Sequence, residues 1–245
     1  ACSLLAPFSP EMEQTDCPQW IKEKTFYSGG FSRFNAKEKA AQPPETYRSQ
    51  KPNILVMTGF GGTEITAEAI AHSAKTQPQW DWHVLGLCTV PEGNVPDNLH
   101  YHGIIENVWP YLCHASLVIA NAGHNSTMEI AAAGVPSLCL PAPRHFNEQR
   151  CKAEVLRRLG LSIVINNWPN DDWPQLMQRA LALPANRWDT LQDAEAPVRA
   201  ANHIAHIARQ CVLPQQEQQS EQRQSGQRQS EHCPEETKQI SAIAA

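Results

Sequence analysis

Between residues 51 and 212 the chain alternates short apolar runs with segments whose apolar positions recur every three or four residues. Asn53–Thr58 reads Asn-Ile-Leu-Val-Met-Thr, an apolar run with no polar alternation. Such a run suits a strand covered on both faces, as in a parallel sheet. Residues 82–88, 99–104, 116–120, 137–140 and 162–165 are predicted as further strands. Helices are predicted over 63–75, 107–114, 126–133, 147–159, 171–183 and 194–212. Gly160 stands where a helix ending at Leu159 needs its C′ residue. Strand and helix in regular alternation predict a doubly wound parallel α/β sheet, whose ligands lie beyond the carboxyl ends of the strands.

Two glycine turns fall at such ends. Gly59-Phe-Gly-Gly62 follows the first strand, and Asn121-Ala-Gly-His-Asn-Ser-Thr-Met-Glu129 follows the strand at 116–120. Glycine lets backbone approach a diphosphate closely, and a helix start offers free N–H groups at the positive end of its dipole. The first turn is not a P-loop, because no Lys-Ser/Thr follows. It also lacks the full G-x-G-x-x-G spacing, and Leu87-Cys88-Thr89 holds no acidic residue for an adenosine ribose, which disfavours an NAD enzyme. In the second turn Glu129 has two readings. It can accept hydrogen bonds from both hydroxyls of a ribose, or it can close a capping box with Ser126 as N-cap. His124 is a candidate contact for a phosphate or a developing charge, and equally a packing residue.

A second polar cluster, Arg144-His-Phe-Asn-Glu-Gln149, sits between a predicted strand end and the next helix. Glu148 and Gln149 can hydrogen-bond sugar hydroxyls. The alternative is an ordinary helix start, with Asn147 as N-cap and Glu148 favouring the dipole. Taken with the Gly123 turn, the cluster favours a nucleotide-sugar site. No nucleophile elbow or triad is present, so the chemistry that fits is direct displacement at an anomeric carbon, with helix ends stabilising the leaving phosphate.

Composition narrows the remaining classes. A net charge of -5 argues against a nucleic-acid binder, and 41% hydrophobic residues suffice for a core. No apolar run is long enough to span a bilayer, and the opening Ala1-Cys-Ser-Leu-Leu-Ala-Pro7 is too short for a signal segment. The chain does not begin with Met and is expected to be a piece of a longer protein. Its 8 cysteines show no C-x-x-C spacing, and Cys88, Cys113, Cys139 and Cys151 are expected as buried reduced thiols of a cytoplasmic protein. His100 and His102 flank Tyr101 on one strand face, and His203 and His206 lie three apart on a helix. Neither pair has a third ligand nearby in sequence, so no metal site is expected. Trp80, Trp82 and Trp109 are expected as packing residues. Residues 1–50 break the α/β pattern, and Pro43-Pro44 reads as the start of an interdomain linker. Residues 213–245, rich in Gln, Glu, Ser and Arg, are expected to be disordered.

The Gly-His-Asn-Ser-Thr-x-Glu turn, the Ala-Ala-Gly-Val-Pro136 after it and the Glu148-Gln149 pair before a helix resemble, in that order, the C-terminal half of GT-B glycosyltransferases. The likeness is strongest to the family of the bacterial peptidoglycan N-acetylglucosaminyl transferase, with echoes of macrolide and plant UDP-sugar transferases. It implies a Rossmann-like domain over 51–212 that binds a UDP-sugar donor and needs no cofactor. It further implies that Gly61, Gly62 and Gly123 to Ser126, with His124 and Asn125 between, line the diphosphate. The backbone near Ile105 would meet the uracil, Glu129 the ribose, and Gln149 the donor sugar. Tyr27 to Arg33 is similar to the end of the family's first domain, which makes 1–50 a remnant of that acceptor domain plus linker and lets Arg33 reach the phosphates. Lys152, where relatives carry Asn, and Asn121, where plant enzymes carry His, depart from the pattern. The acceptor site and catalytic base are expected from a missing N-terminal domain or a separate subunit, and a peripheral membrane or lipid acceptor fits the resemblance. A nucleotide-sugar epimerase and a non-catalytic binding module of the same fold are the alternatives.

Overall fold

The computed structural model describes residues 2–34, 42–47, 50–59, 61–90 and 93–210. The expected disordered tail at 213–245 lies outside them, as does part of the expected linker. The chain divides into two compact units, Ala1–Arg199 and Ala200–Ala245; of the second, residues 200–210 are described and are helical.

The first unit opens with β1 (Leu4–Ala6), α1 (Gln19–Lys24) and β2 (Thr25–Tyr27), the two strands pairing in parallel. Then come β3 (Asn53–Thr58), α2 (Ala67–Thr76), β4 (Asp81–Gly86), β5 (Leu99–Gly103), α3 (Trp109–His114), β6 (Leu117–Ala120), α4 (His124–Ala133), β7 (Ser137–Cys139), α5 (Glu148–Arg158), β8 (Ile163–Val164) and α6 (Trp173–Leu181). A 6-stranded parallel sheet runs in the order β5-β4-β3-β6-β7-β8. From β3 the chain steps outward through β4 and β5, then crosses back to lay β6, β7 and β8 on the other side. The order therefore reverses between β3 and β6, and a crevice opens where those two strands end.

The apolar runs are continuous because both sheet faces are covered. Leu55, Met57, Val118 and Ala120 point to one face, where they pack with Trp109 and Leu112 of α3, Met128 and Ile130 of α4, and Val155 and Leu156 of α5. Ile54, Val56, Leu117 and Ile119 point to the other, against Ile70 and Ala74 of α2 and Trp173 and Met177 of α6. Trp82 is fully buried there, edge-on to Trp173 at 5.2 Å, in the packing role expected of it. The N-terminal segment belongs to the same unit: Met12 and Phe34 are buried on the α3–α5 face, and Arg158 of α5 donates to the Glu11 and Glu13 carbonyls.

Three local expectations are met or corrected by backbone detail. Gly160 adopts φ +65°, the left-handed conformation of a C′ residue. α2 starts at Ala67, later than the periodicity indicated, because the Thr66 hydroxyl caps it by accepting from the Ala69 N–H at 3.2 Å. Asn147 precedes α5 but sits at φ 54° and makes no capping bond; with Phe146 at φ 58° it forms two consecutive left-handed residues. Of the six described cysteines only Cys139 is buried, so the expectation of buried thiols at positions 88, 113 and 151 is corrected to half-buried ones.

Candidate functional site

A cavity of ≈ 420 Å³ occupies the crevice at the carboxyl ends of the strands. Its floor is Met57, Thr58 and Gly59 at the end of β3, with Leu85 and Gly86 at the end of β4. Ile104 and Ile105 after β5 form one side, Asn125, Ser126, Met128 and Glu129 of α4 the other, and Phe31, Ser32 and Arg33 close the rim. The floor depends on Gly86. Its φ is +106°, and a Cβ there would lie 2.0 Å from the Thr58 carbonyl oxygen, so only glycine lets the two strand ends approach.

α4 presents its N-terminus to this cavity. The helix begins at His124 with Gly123 as N-cap, two residues before the expected start at Ser126. This removes the capping box: Ser126 sits in the first turn, and Glu129 does not reach back to it. No side chain caps α4, and no acidic residue occupies its first turn. The contrast with α2, which Thr66 caps, is chemical: the first N–H groups of α4 keep their capacity for an anion, and the helix dipole favours one there.

Glu129 lines the cavity wall and is 9% exposed. Its Oε1 accepts from Arg33 Nε at 2.8 Å, and Arg33 also donates to the Glu106 carbonyl. Oε2 accepts no hydrogen bond among the described residues. Burial raises the Glu129 pKa, partly opposed by the Arg33 charge and hydrogen bond. The pair thus holds one carboxylate oxygen and leaves the other toward the cavity.

The other predicted residues divide. Arg33, Ile105, Asn125, Ser126 and Glu129 line the cavity together. Gly61 and Gly62 lie in the adjoining turn, closed by the Gly62 N–H donating to the Gly59 carbonyl at 3.3 Å. Gly123 is the N-cap at the cavity's edge. His124 is not part of the lining: its ring lies 6.3 Å from that of Phe8, and burial followed by the Lys152 charge pulls its pKa down to about 4. A neutral imidazole facing Phe8 does not supply positive charge to a phosphate. Glu148 is exposed at the start of α5, outside the lining. Gln149, also outside the lining, is buried, and its Oε1 accepts from the Ala142 N–H at 2.9 Å, while its amide NH2 remains a donor.

Two contributors carry no isolated sequence signal. Arg144 donates through Nη2 to the Gly62 carbonyl at 2.6 Å and so places a guanidinium beside the glycine turn from the loop after β7. It belongs to the polar cluster read from the sequence, but only the fold brings it across to Gly62. Gly86 is the other, because the need for glycine arises from Thr58 on a neighbouring strand.

Comparison with known proteins agrees with this geometry. The profile described as the glycosyltransferase family 28 C-terminal domain matches residues 70–210. The chain is similar to an uncharacterized glycosyltransferase of Methanosarcina acetivorans, 30% identical over 158 residues, covering 63% of this chain and 39% of that protein. It is also similar to the UDP-N-acetylglucosamine--N-acetylmuramyl-(pentapeptide) pyrophosphoryl-undecaprenol N-acetylglucosamine transferase of Idiomarina loihiensis, 26% identical over 174 residues, covering 66% of this chain and 45% of that one. The chain thus spans less than half the length of these relatives. Among solved structures, the glycotransferase of kitacinnamycin superposes with a TM-score of 0.65 at 19% identity, covering 85% of this chain and 55% of that one. CalG4, the calicheamicin glycosyltransferase, gives 0.61 at 20% identity, covering 86% and 55%. At such identities the likeness shows the fold, which is the Rossmann-like half of these enzymes.

Proposed function

Since the chain belongs to the glycosyltransferase family 28 C-terminal domain family, we propose that it is the half of a glycosyltransferase that binds a UDP-sugar donor. The observation that carries this reading is the uncapped N-terminus of α4 at the topological switch point, with the free Oε2 of Glu129 one turn further along the same wall. An anion held at the helix start and a vicinal diol held by a carboxylate describe the diphosphate and ribose of one nucleotide.

In this assignment the first-turn N–H groups of α4, at Gly123 to Ser126, and the Gly61-Gly62 turn receive the diphosphate. Arg33 and Arg144 supply positive charge at its two sides. Glu129 accepts from the ribose hydroxyls, and the backbone at Ile105 meets the uracil. The amide donor of Gln149 and the carboxylate of Glu148 are assigned to the donor sugar. When the leaving nucleoside diphosphate forms, the same helix end stabilises its growing charge. Among the described residues the cavity lining holds one carboxylate and no histidine, and the catalytic base and the acceptor site are assigned to another domain or subunit. An epimerase would need acid and base groups across the cleft, and this lining does not favour that alternative. The undecaprenol-linked substrate in the relative's name supports a lipid acceptor; no helix among the described residues is long and apolar enough to cross a membrane.

Calorimetric titration with UDP, with ADP and NAD as controls, tests the reading. UDP is expected to bind and the two adenine nucleotides not to. A folded chain that binds neither UDP nor a UDP-sugar, alone or joined to its acceptor half, would overturn it.

A further inference from the structure

At the opposite, amino-terminal end of the sheet lies a second polar cluster that the donor site does not use. Asp81 and His83 are two apart on β4 and share a face. His83 and His100 are register partners between β4 and β5, with rings stacked at 4.9 Å. Asp81, His83 and His100 each offer one ligand atom, and the three atoms lie within 4.8 Å of one another. Asp81 and His83 are buried and His100 is half-buried. The sequence offered no third ligand near His100 and His102, so no metal site was expected; strand register supplies the missing ligands from residues nearly twenty positions away.

The second observation concerns His83. Its Nδ1 lies 3.0 Å from His102 Nε2, so one proton is shared between them. Its Nε2 is buried and has no hydrogen-bond partner. In the tautomer in which Nδ1 donates to His102, Nε2 carries a bare lone pair inside the protein. That is the arrangement of a metal-binding histidine, whose other ring N–H is fixed by an acceptor behind it. Tyr47 covers the His83 ring at 4.1 Å. A cleft of ≈ 850 Å³ lined by Lys51, Lys75, Asp81, Asn98 and His100, among others, opens the cluster to solvent.

We propose that Asp81, His83 and His100 form a binding site for a divalent transition-metal ion of the zinc class, which clips edge strand β5 to β4. Two imidazoles and one carboxylate suit Zn²⁺, Co²⁺ or Ni²⁺ rather than Mg²⁺ or Ca²⁺, and three protein ligands leave the cleft side for water. Lys51 Nζ stands 3.9 Å from Asp81, the outer limit of an ion pair, on a side chain that is about half exposed. It gives way to the ion by swinging into solvent. The site is independent of the nucleotide reading.

The test is titration of the whole chain with zinc chloride alone, followed by calorimetry and thermal melting, and with cobalt chloride followed by visible absorption. His83 is too deeply buried for an informative variant, so Asp81→Asn and His100→Gln are used, each checked for an unchanged fold by circular dichroism. One ion per chain is expected, with weak nitrogen/oxygen-type cobalt bands and a melting temperature raised by zinc. Each variant should weaken binding by at least about tenfold and abolish the zinc-dependent rise in melting. Failure to bind, thiolate-type cobalt absorption from the cysteines, or a wild-type isotherm in both variants would overturn the proposal.

Discussion

Replacing Glu129 with alanine probes the nucleotide site through a group whose role in folding and role in binding separate. The carboxylate uses Oε1 for Arg33 and leaves Oε2 for a ligand. Two ribose hydroxyls donating to a charged acceptor that is already shared with Arg33 place the lost binding at about 1–3 kcal/mol, or roughly a 5- to 150-fold rise in Kd. The folding effect is smaller. The Arg33 side chain is 54% exposed, so solvent screens the pair to under about 1 kcal/mol, and removing a carboxylate whose pKa burial has raised offsets part of that. Calorimetry with UDP and with 2′,3′-dideoxy-UDP, beside a urea melt, gives the discriminating cycle. Glu129→Ala should weaken UDP binding by the stated factor, leave the dideoxy ligand nearly unaffected, and barely move the melt. Glu129→Gln, which keeps an acceptor but loses the charge, should fall between. Equal losses for both ligands, or no loss for either, would refute the ribose assignment.

Three other perturbations follow from particular contacts. Arg144→Ala should weaken UDP binding by about 1–3 kcal/mol while leaving uridine unaffected, because the guanidinium lies beside the glycine turn; equal loss for both ligands in calorimetry would place Arg144 elsewhere. Gly86→Ala forces a Cβ against the Thr58 carbonyl at positive φ and should lower stability by about 2–5 kcal/mol in urea denaturation, with a neutral result contradicting the close approach of β3 and β4. His124 titrates near 4 in the folded chain, below its ordinary 6.5, so the unfolded chain binds more protons between those values. Its contribution is present above pH 6.5 and lost as pH falls toward 4; His124→Gln should flatten that part of a melting-temperature profile, and an unchanged slope would show the imidazole to be solvated.

The sequence by itself determined what depends on near neighbours along the chain. Runs such as Asn53–Thr58 read as strands because both faces of a parallel strand bury their side chains, and the alternation with helical periods implies crossover connections and hence parallel pairing. Gly160 ended its helix as read, since a C′ residue is chosen by its own φ. The Gly123–Glu129 motif marked one wall of the cavity, because a helix start after a strand has local chemistry whatever the rest of the chain does. The tertiary structure decided what depends on residues distant in sequence. Ser126 could start a helix as well as Gly123 could; the helix starts at His124 instead, which removes the capping box, and Glu129 bonds Arg33, 96 positions away. Sheet order placed Thr58 beside α4 and made one crevice of two glycine turns. The need for glycine at 86 comes from a neighbouring strand's carbonyl, and the grouping of Asp81 and His83 with His100 comes from parallel register. A local pattern specifies an element's period and its ends; which polar atoms meet across the sheet is settled only when burial on both faces selects a single strand order and register.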